Sequence, residues 1–286
     1  MITKFGKRFL TNFIAGNTSF SSKEIAIGIA TNTEYTLSDT NSRLGFEFYR
    51  VPARIGGIDI DASVTPTKYT VIYSATLPTN IGGKINEIGL YPGSRTSINY
   101  FDSKFITDFE LPFEWSPTPL IDQSNYRIGD SSLIFTSDGT SPREYTLPVS
   151  AFDLSGYNPL DSFSFSYKAN DAFLSSIKIR FYSSSLDYYE IIYTGHSVGY
   201  NIKNKNFSDL NATGSPKLDN INSIGITIVP TTSEASVSVD GLRINDEDTF
   251  DPVYGLIARS ILPTEIVKVL GRESQIEFKL DLSFGE

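Results

Sequence analysis

The sequence has no cysteine and only one histidine, one methionine and one tryptophan. Without cysteine there are no disulfides, thiolate metal sites or thiol nucleophiles, and the single His196 cannot build a histidine-based metal centre. Long apolar runs are also missing. No stretch approaches the roughly 20 residues that would cross a bilayer as a helix, so no membrane insertion is expected. The opening "MITKFGKRFLTNFIAGNTSF" starts basic, but Thr11 and Asn12 interrupt its apolar run before it reaches the length of a signal-peptide core, and no secretion signal is expected. Catalytic signatures are lacking too: there is no Gly-x-Ser-x-Gly elbow, and Gly82-Gly83-Lys84 has neither the upstream glycine nor the following Ser or Thr of a phosphate loop. We therefore expect no catalytic residues, no metal and no cofactor, and a protein that is not an enzyme.

Pleated-sheet residues are abundant. Twenty Phe and sixteen Tyr accompany frequent Ser and Thr, whereas amphipathic stretches rich in Ala, Leu and Lys are nearly absent. Period-two alternation recurs along the chain. Ile25, Ile27 and Ile29 alternate with small residues; Leu44, Phe46 and Phe48, then Tyr69, Val71 and Tyr73, follow the same rule. Further on, Phe163, Phe165 and Tyr167 alternate with serines, Ile177, Ile179 and Phe181 with Ser, Lys and Arg, and Ile224, Ile226 and Ile228 with Gly and Thr. Such short runs bounded by Gly, Pro, Asn or Asp predict an all-β protein, its middle a sandwich or jelly roll. One helix is conceivable late in the chain, at "PTEIVKVLG" (263–271), which an extended connection explains equally well.

Charge divides the chain. Residues 116–252 hold 9 Lys and Arg against 17 Asp and Glu, while the remainder holds 15 against 16. An acidic surface of that kind repels phosphate backbones and anionic membranes, so nucleic acid is not an expected partner. The charge step coincides with two breaks: "EWSPTPLIDQSN" (114–125), with paired prolines, and the acidic "NDEDTFDPVYG" (245–255). The chain then closes on Ile276, Phe278, Leu280, Leu282 and Phe284, which alternate with polar residues and read as a strand in need of a partner. Chain termini of a domain tend to lie together, and the closing segment shares the balanced charge of the opening one. We therefore expect a discontinuous β domain of residues 1–115 and 253–286, with residues 116–252 inserted as a jelly roll.

Residues 24–52, "EIAIGIATNTEYTLSDTNSRLGFEFYRVP", and 74–93, "SATLPTNIGGKINEIGLYPG", resemble the attachment domains of tail-fibre and baseplate-associated proteins of tailed bacteriophages. The resemblance rests on Ile27 and Gly28, on Leu44, Glu47 and Arg50, and on Glu87, Ile88, Gly89, Leu90 and Tyr91. The closing segment from Gly255 is similar to the last strands of such a domain. Residues 129–135, 151–169, 175–191 and 236–244 resemble the jelly-roll modules of carbohydrate-binding proteins. Together these resemblances imply a virion protein of the tail, assembled in the host cytoplasm, with other tail or baseplate proteins as partners. They also imply a homo-oligomer, a trimer being favoured, and possible binding of host surface polysaccharide. A carbohydrate-binding accessory module unrelated to phage is the alternative, and a purely structural spacer a third reading.

A pyranose presents an apolar face and a rim of hydroxyls, so its site needs an aromatic ring beside a carboxylate or amide. "LDYYEIIY" (186–193) offers this: Tyr188, Glu190 and Ile192 share one face of a strand, and the more apolar Tyr189, Ile191 and Tyr193 the other. Tyr188 and Glu190 are the expected outward-facing ligand-binding residues. Asp240 could join Asp130 as a calcium ligand in a module of the resembling kind, but Asp240-Gly241 is read more simply as a turn.

Overall fold

The computed structural model describes residues 1–17, 23–30, 37–93, 105–245 and 255–283. In chain order these contain α1 (Lys4–Ile14), β1 (Lys23–Ile29), β2 (Phe46–Asp61), β3 (Lys68–Leu77), β4 (Gly83–Pro92), β5 (Phe105–Thr107), β6 (Leu120–Asp122), β7 (Ser132–Thr136), β8 (Arg143–Phe152), β9 (Ser162–Ala169), β10 (Leu174–Tyr182), β11 (Tyr188–Tyr193), β12 (Gly199–Asn206), β13 (Asn211–Thr213), β14 (Ile221–Pro230), β15 (Ser236–Asn245), β16 (Ala258–Lys268) and β17 (Ser274–Ser283). Among the described residues the protein is all-β apart from α1 and two single-turn helices. Its contacts fall into two compact units, Met1–Asp102 with Thr249–Glu286, and Ser103–Asp248.

The first unit is one antiparallel sheet in the order β16-β4-β1-β2-β3-β17. β2 is long because it serves two partners, pairing with β1 through Phe46–Ala53 and with β3 through Arg54–Asp61. The closing strand β17 pairs with β3, from Ser274 opposite Leu77 to Ser283 opposite Lys68. Its alternation is realised in three dimensions: Ile276, Phe278 and Leu280 are buried, and the residues between them are exposed. Phe284 lies outside the described residues. The stretch at 263–271 is not helical, since β16 runs to Lys268 and pairs Ile266, Val267 and Lys268 with Ile85, Lys84 and Gly83.

The motif residues of this unit hold one fully buried ion pair and one half-buried pair. Gly28 of β1 lies opposite Glu47 on one side and Glu87 on the other, so both carboxylates flank a position with no side chain. Arg50 grips Glu47 with two hydrogen bonds of 2.8 and 2.9 Å, approaches Glu24 at 3.6 Å, and lies 3.5 Å from the centre of the Tyr91 ring. Arg259 bonds Glu87, which also accepts a hydrogen bond from the Gly45 amide at 2.8 Å. Burial pushes Glu87 up to about 7, against the pull of Arg259. A buried charge is tolerated only when paired in this way, so these residues are accounted for as scaffold.

Residues 4–14, to which the sequence pattern assigned no element, form α1. Thr3 caps it by accepting a hydrogen bond from the Gly6 amide at 2.9 Å. Gly6 sits so close to the 256–258 backbone that a Cβ would fall 2.0 Å from the Ile257 carbonyl oxygen. Phe5 and Phe9, one turn apart, stack at 5.9 Å.

The second unit is a sandwich. One sheet has the order β13-β11-β10-β14-β8, the other β12-β9-β15-β7-β6, with β5 pairing β15 beside it. The chain crosses between the sheets at β7–β8, β8–β9, β9–β10, β11–β12, β12–β13 and β14–β15, and all pairings are antiparallel. Between the sheets lie Phe163, Phe165, Tyr167, Ile177, Ile179, Phe181, Ile224, Ile226, Ile228, Val237 and Val239, all fully buried. Each full burial contributes about 2 kcal/mol. The boundary differs from the expected one at residue 116: Phe109 and Trp115 stack at 5.5 Å inside this core, and Ser116 exchanges backbone hydrogen bonds with Thr146. The two prolines of "EWSPTPL" therefore mark an edge of the sandwich, where a missing amide costs no ladder bond. Most of the acidic break, residues 246–254, lies outside the described residues.

Candidate functional site

Alternation fixes the two faces of the β13-β11-β10-β14-β8 sheet. On β11, Ile191 and Tyr193 are buried against the sandwich core, Tyr189 is half-buried against it, and Ile192 is exposed. Tyr188 and Glu190 share the outward face with Ile192. Register then decides their neighbours: Tyr182, Arg180 and Lys178 of β10 stand opposite Tyr188, Glu190 and Ile192 of β11, and opposite Ser223, Gly225 and Thr227 of β14. Thr227 in turn stands opposite Glu144 of β8.

Arg180 is the centre of this face. Its Nε donates to Glu190 at 2.8 Å and its Nη1 to both Glu144 oxygens at 3.2 Å. Tyr182 donates its hydroxyl to Glu144 at 2.6 Å. The Arg180 guanidinium lies 4.8 Å from the centre of the Tyr188 ring, and the Tyr182 and Tyr188 rings are 5.2 Å apart at 56°. Lys178 approaches the other Glu190 oxygen at 3.9 Å. Gly225 supplies the floor, since a Cβ there would fall 2.5 Å from Glu144 and 2.8 Å from the Tyr182 ring.

Partial burial works against the Arg180 charge, but hydrogen bonds with Tyr182 and Glu190 and the nearby Glu144 outweigh it, and the guanidinium is held above its ordinary value. Burial first, then the bond to Glu144, pushes Tyr182 up to about 12. The face thus combines two aromatic rings with a balanced set of two cations and two carboxylates. Each carboxylate oxygen has more than one lone pair, so both can accept hydroxyl hydrogens while bound to Arg180. Sequence reasoning placed Tyr188 and Glu190 on this face but missed Arg180, Tyr182, Glu144 and Gly225. The signal available was the polar set alternating with Ile177, Ile179 and Phe181; strand register was not available.

Asp240 does not form the expected Asp-Gly turn. It lies within β15 at an irregularity between Val239 and Gly241, where one carboxylate oxygen accepts from the amides of Arg127 and Ile128. The other is buried without a hydrogen bond. Burial raises Asp240 well above the ordinary carboxylate range. Glu110 accepts a 2.7 Å hydrogen bond from Ser131 and is pushed up to about 7, mainly by burial, with Asp130 also raising it. Among the described residues no three His, Cys, Asp or Glu side chains are grouped to hold a metal. His196 is joined to Tyr167 through Nδ1 and pushed down to about 4 by burial and by Lys203. An open groove of about 390 Å³ in the first unit, between Val51–Arg54, Ser74–Thr76 and Gln275, has Arg54 as its one charged side chain.

No family model matches the sequence, and neither does any curated protein. Solved structures give partial likenesses. A family 11 carbohydrate-binding module from Clostridium thermocellum, in complex with a β-1,3-1,4-mixed-linked tetrasaccharide, is similar at 16% identity and TM-score 0.40, over 49% of this chain and 94% of that one. TmCBM61, in complex with β-1,4-galactotriose, is similar at 12% identity and TM-score 0.30, over 54% and 100%. The enzymatically active domain of tailspike protein 4 of bacteriophage CBA120 is similar at 12% identity and TM-score 0.27, over 54% and 21%.

Proposed function

We propose that the second unit binds a polysaccharide on the outward face built by Tyr188, Tyr182, Arg180, Glu144 and Glu190, and that the chain is a structural protein of a phage tail. The observation that carries the binding reading is the joining of two aromatic rings with carboxylates already oriented by one guanidinium. A sugar ring laid on Tyr188 would exchange water for an apolar surface, and its hydroxyls would meet acceptors whose positions are fixed beforehand. Fixed acceptors lower the ordering cost of binding. The role in this reading is recognition without catalysis: Arg180 binds both carboxylates of the face, whereas glycoside cleavage uses two acids that flank the scissile bond.

The tail placement rests on the resemblance of residues 24–52 and 74–93 to phage attachment domains. In that role the first unit docks to other tail or baseplate proteins and to further copies of the chain, in the virion, after assembly in the host cytoplasm. Copies set by tail symmetry would turn weak single sites into strong avidity.

The test is binding of the full chain to extracted bacterial surface polysaccharides, read by calorimetry and on a glycan array. Saturable binding that Tyr188→Ala weakens at least tenfold is expected. Absence of binding from folded protein would leave the sandwich as a spacer. Binding by a chain that joins no tail assembly would favour an accessory module unrelated to phage.

A further inference from the structure

Among the described residues, the first unit leaves one end of an apolar sheet face exposed. Ile60, Tyr69 and Leu282 form one row across β2, β3 and β17, and Ile58, Val71 and Leu280 the next. Leu280 is 3% exposed, as a core residue should be, but Ile58 is 66%, Ile60 58% and Tyr69 37% exposed. The opposite face of the same ribbon is finished for water. There Asp59, Thr70 and Asp281 share a row, Thr70 donates to Asp281 at 2.7 Å, and Lys68 pairs with Asp281 at 2.9 Å. A ribbon polar on one face and apolar on the other, with its apolar rows running out of a buried core, has the pattern of a surface buried on assembly.

We infer that this apolar face, centred on Ile58 and Ile60, packs against the same surface of a second copy of the chain. Charge identifies the occupant. The first unit holds 14 Lys and Arg against 14 Asp and Glu, a net charge of zero, so two copies approach without repulsion. The second unit holds 10 against 19 and repels its own copies. Self-association is therefore directed to the neutral unit, and an apolar surface is complementary to itself, as a two-fold interface requires. Two such faces stack at the roughly 10 Å spacing of packed sheets, with the Asp59 and Asp281 faces outward in both. This names the surface for the self-assembly in the proposed function and rests on that part alone; sugar binding does not enter.

Sedimentation velocity of the full chain, at concentrations from about 1 to 100 µM, tests it. The expected result is a mass of twice 31.6 kDa, with Ile58→Lys and Ile60→Lys each weakening association at least tenfold. Leu186→Lys, at a 78% exposed position in the second unit, should leave it unchanged. Ile60→Thr keeps β-branching and should weaken association by a smaller factor, which covers the case in which a lysine disturbs the hairpin. A single-chain mass throughout would overturn both this surface and the self-assembly reading. A multiple indifferent to all three ribbon variants would overturn this surface alone, and a single chain that gains mass only with a different protein would overturn the second copy as occupant.

Discussion

The two units are built from the same alternating strands but close their cores differently. In the sandwich, two sheets face each other, so each apolar face meets another and the outward faces are left polar. In the first unit a single sheet is packed on by α1 and the 255–257 segment, and among the described residues Ile58 and Ile60 of β2 and Tyr69 of β3 are left exposed. The same difference governs charge. The first unit buries Arg259 with Glu87 completely, whereas the central ion network of the second, around Arg180, stays partly exposed. Beside Gly28, the first unit fills its interior with the paired charges of Glu47, Arg50, Glu87 and Arg259; the sandwich fills its interior with rings.

The largest test of this contrast is Arg259→Ala. It strands Glu87 in the core and should destabilise the first unit by about 3–5 kcal/mol, with little change in the second. Separate denaturation transitions, followed by the Trp115 fluorescence of the second unit and by circular dichroism of the whole, would show it. Replacing both partners, Arg259→Met with Glu87→Leu, should recover much of the loss. Loss of the second unit's transition with the first would break the comparison.

Asp240→Ala is the corresponding change in the sandwich. It removes the acceptor of two buried amides, those of Arg127 and Ile128, and should cost about 2–3 kcal/mol by urea melt. Asp240→Asn keeps one acceptor oxygen and should cost less, because Asp240 has a raised proton affinity and a neutral side chain suits its surroundings.

Titration gives a smaller effect with two opposed signs in the same unit. His196, pushed down to about 4 from 6.5, stays neutral in the folded state while the unfolded chain takes up a proton, so its contribution is complete above 6.5 and is lost as pH falls towards 4. Glu110, pushed up to about 7 from 4.5, contributes fully below 4.5 and loses its contribution as pH rises through 7. Between about 4.5 and 6.5 the two slopes oppose each other. Glu110→Gln should therefore unmask a stability that rises with pH in that window. The single imidazole resonance, followed by proton NMR, should titrate near 4; a midpoint at 6.5 would contradict the burial of His196.

The smallest effect on stability belongs to the outward face of the sandwich. Tyr188→Ala and Glu190→Gln should each change the unfolding free energy by less than about 1 kcal/mol, because surface ion pairs and half-exposed rings contribute little. If either unfolds the unit, the network is scaffold like that of the first unit.

Much of this was legible in the residues. Ile276, Phe278 and Leu280 announced a strand buried on one side, and Ile191 and Tyr193 announced which side of β11 faces the core. The edge at Trp115 was not legible, since a proline-rich stretch looks the same in a linker and beside a sheet until its aromatic finds a pocket. α1 was missed for a related reason: Thr3, Phe5, Gly6 and Phe9 make a helix only because Gly6 can lie on the Ile257 carbonyl. Asp240-Gly241 has the composition of a turn and became an irregularity within a strand because the buried amides of Arg127 and Ile128 were waiting there.

The sequence by itself determined the all-β class, the faces of the strands and the uneven division of charge. These follow from periodicity and counting, which involve near neighbours or none. Tertiary structure alone decided that Glu144, Arg180 and Glu190 meet, that Gly28 stands between Glu47 and Glu87, and that Ile58 and Ile60 are left uncovered. Each of these depends on cross-strand register and on what lies over a sheet, and both are set by contacts between residues far apart in the chain, whose free energies no local pattern encodes.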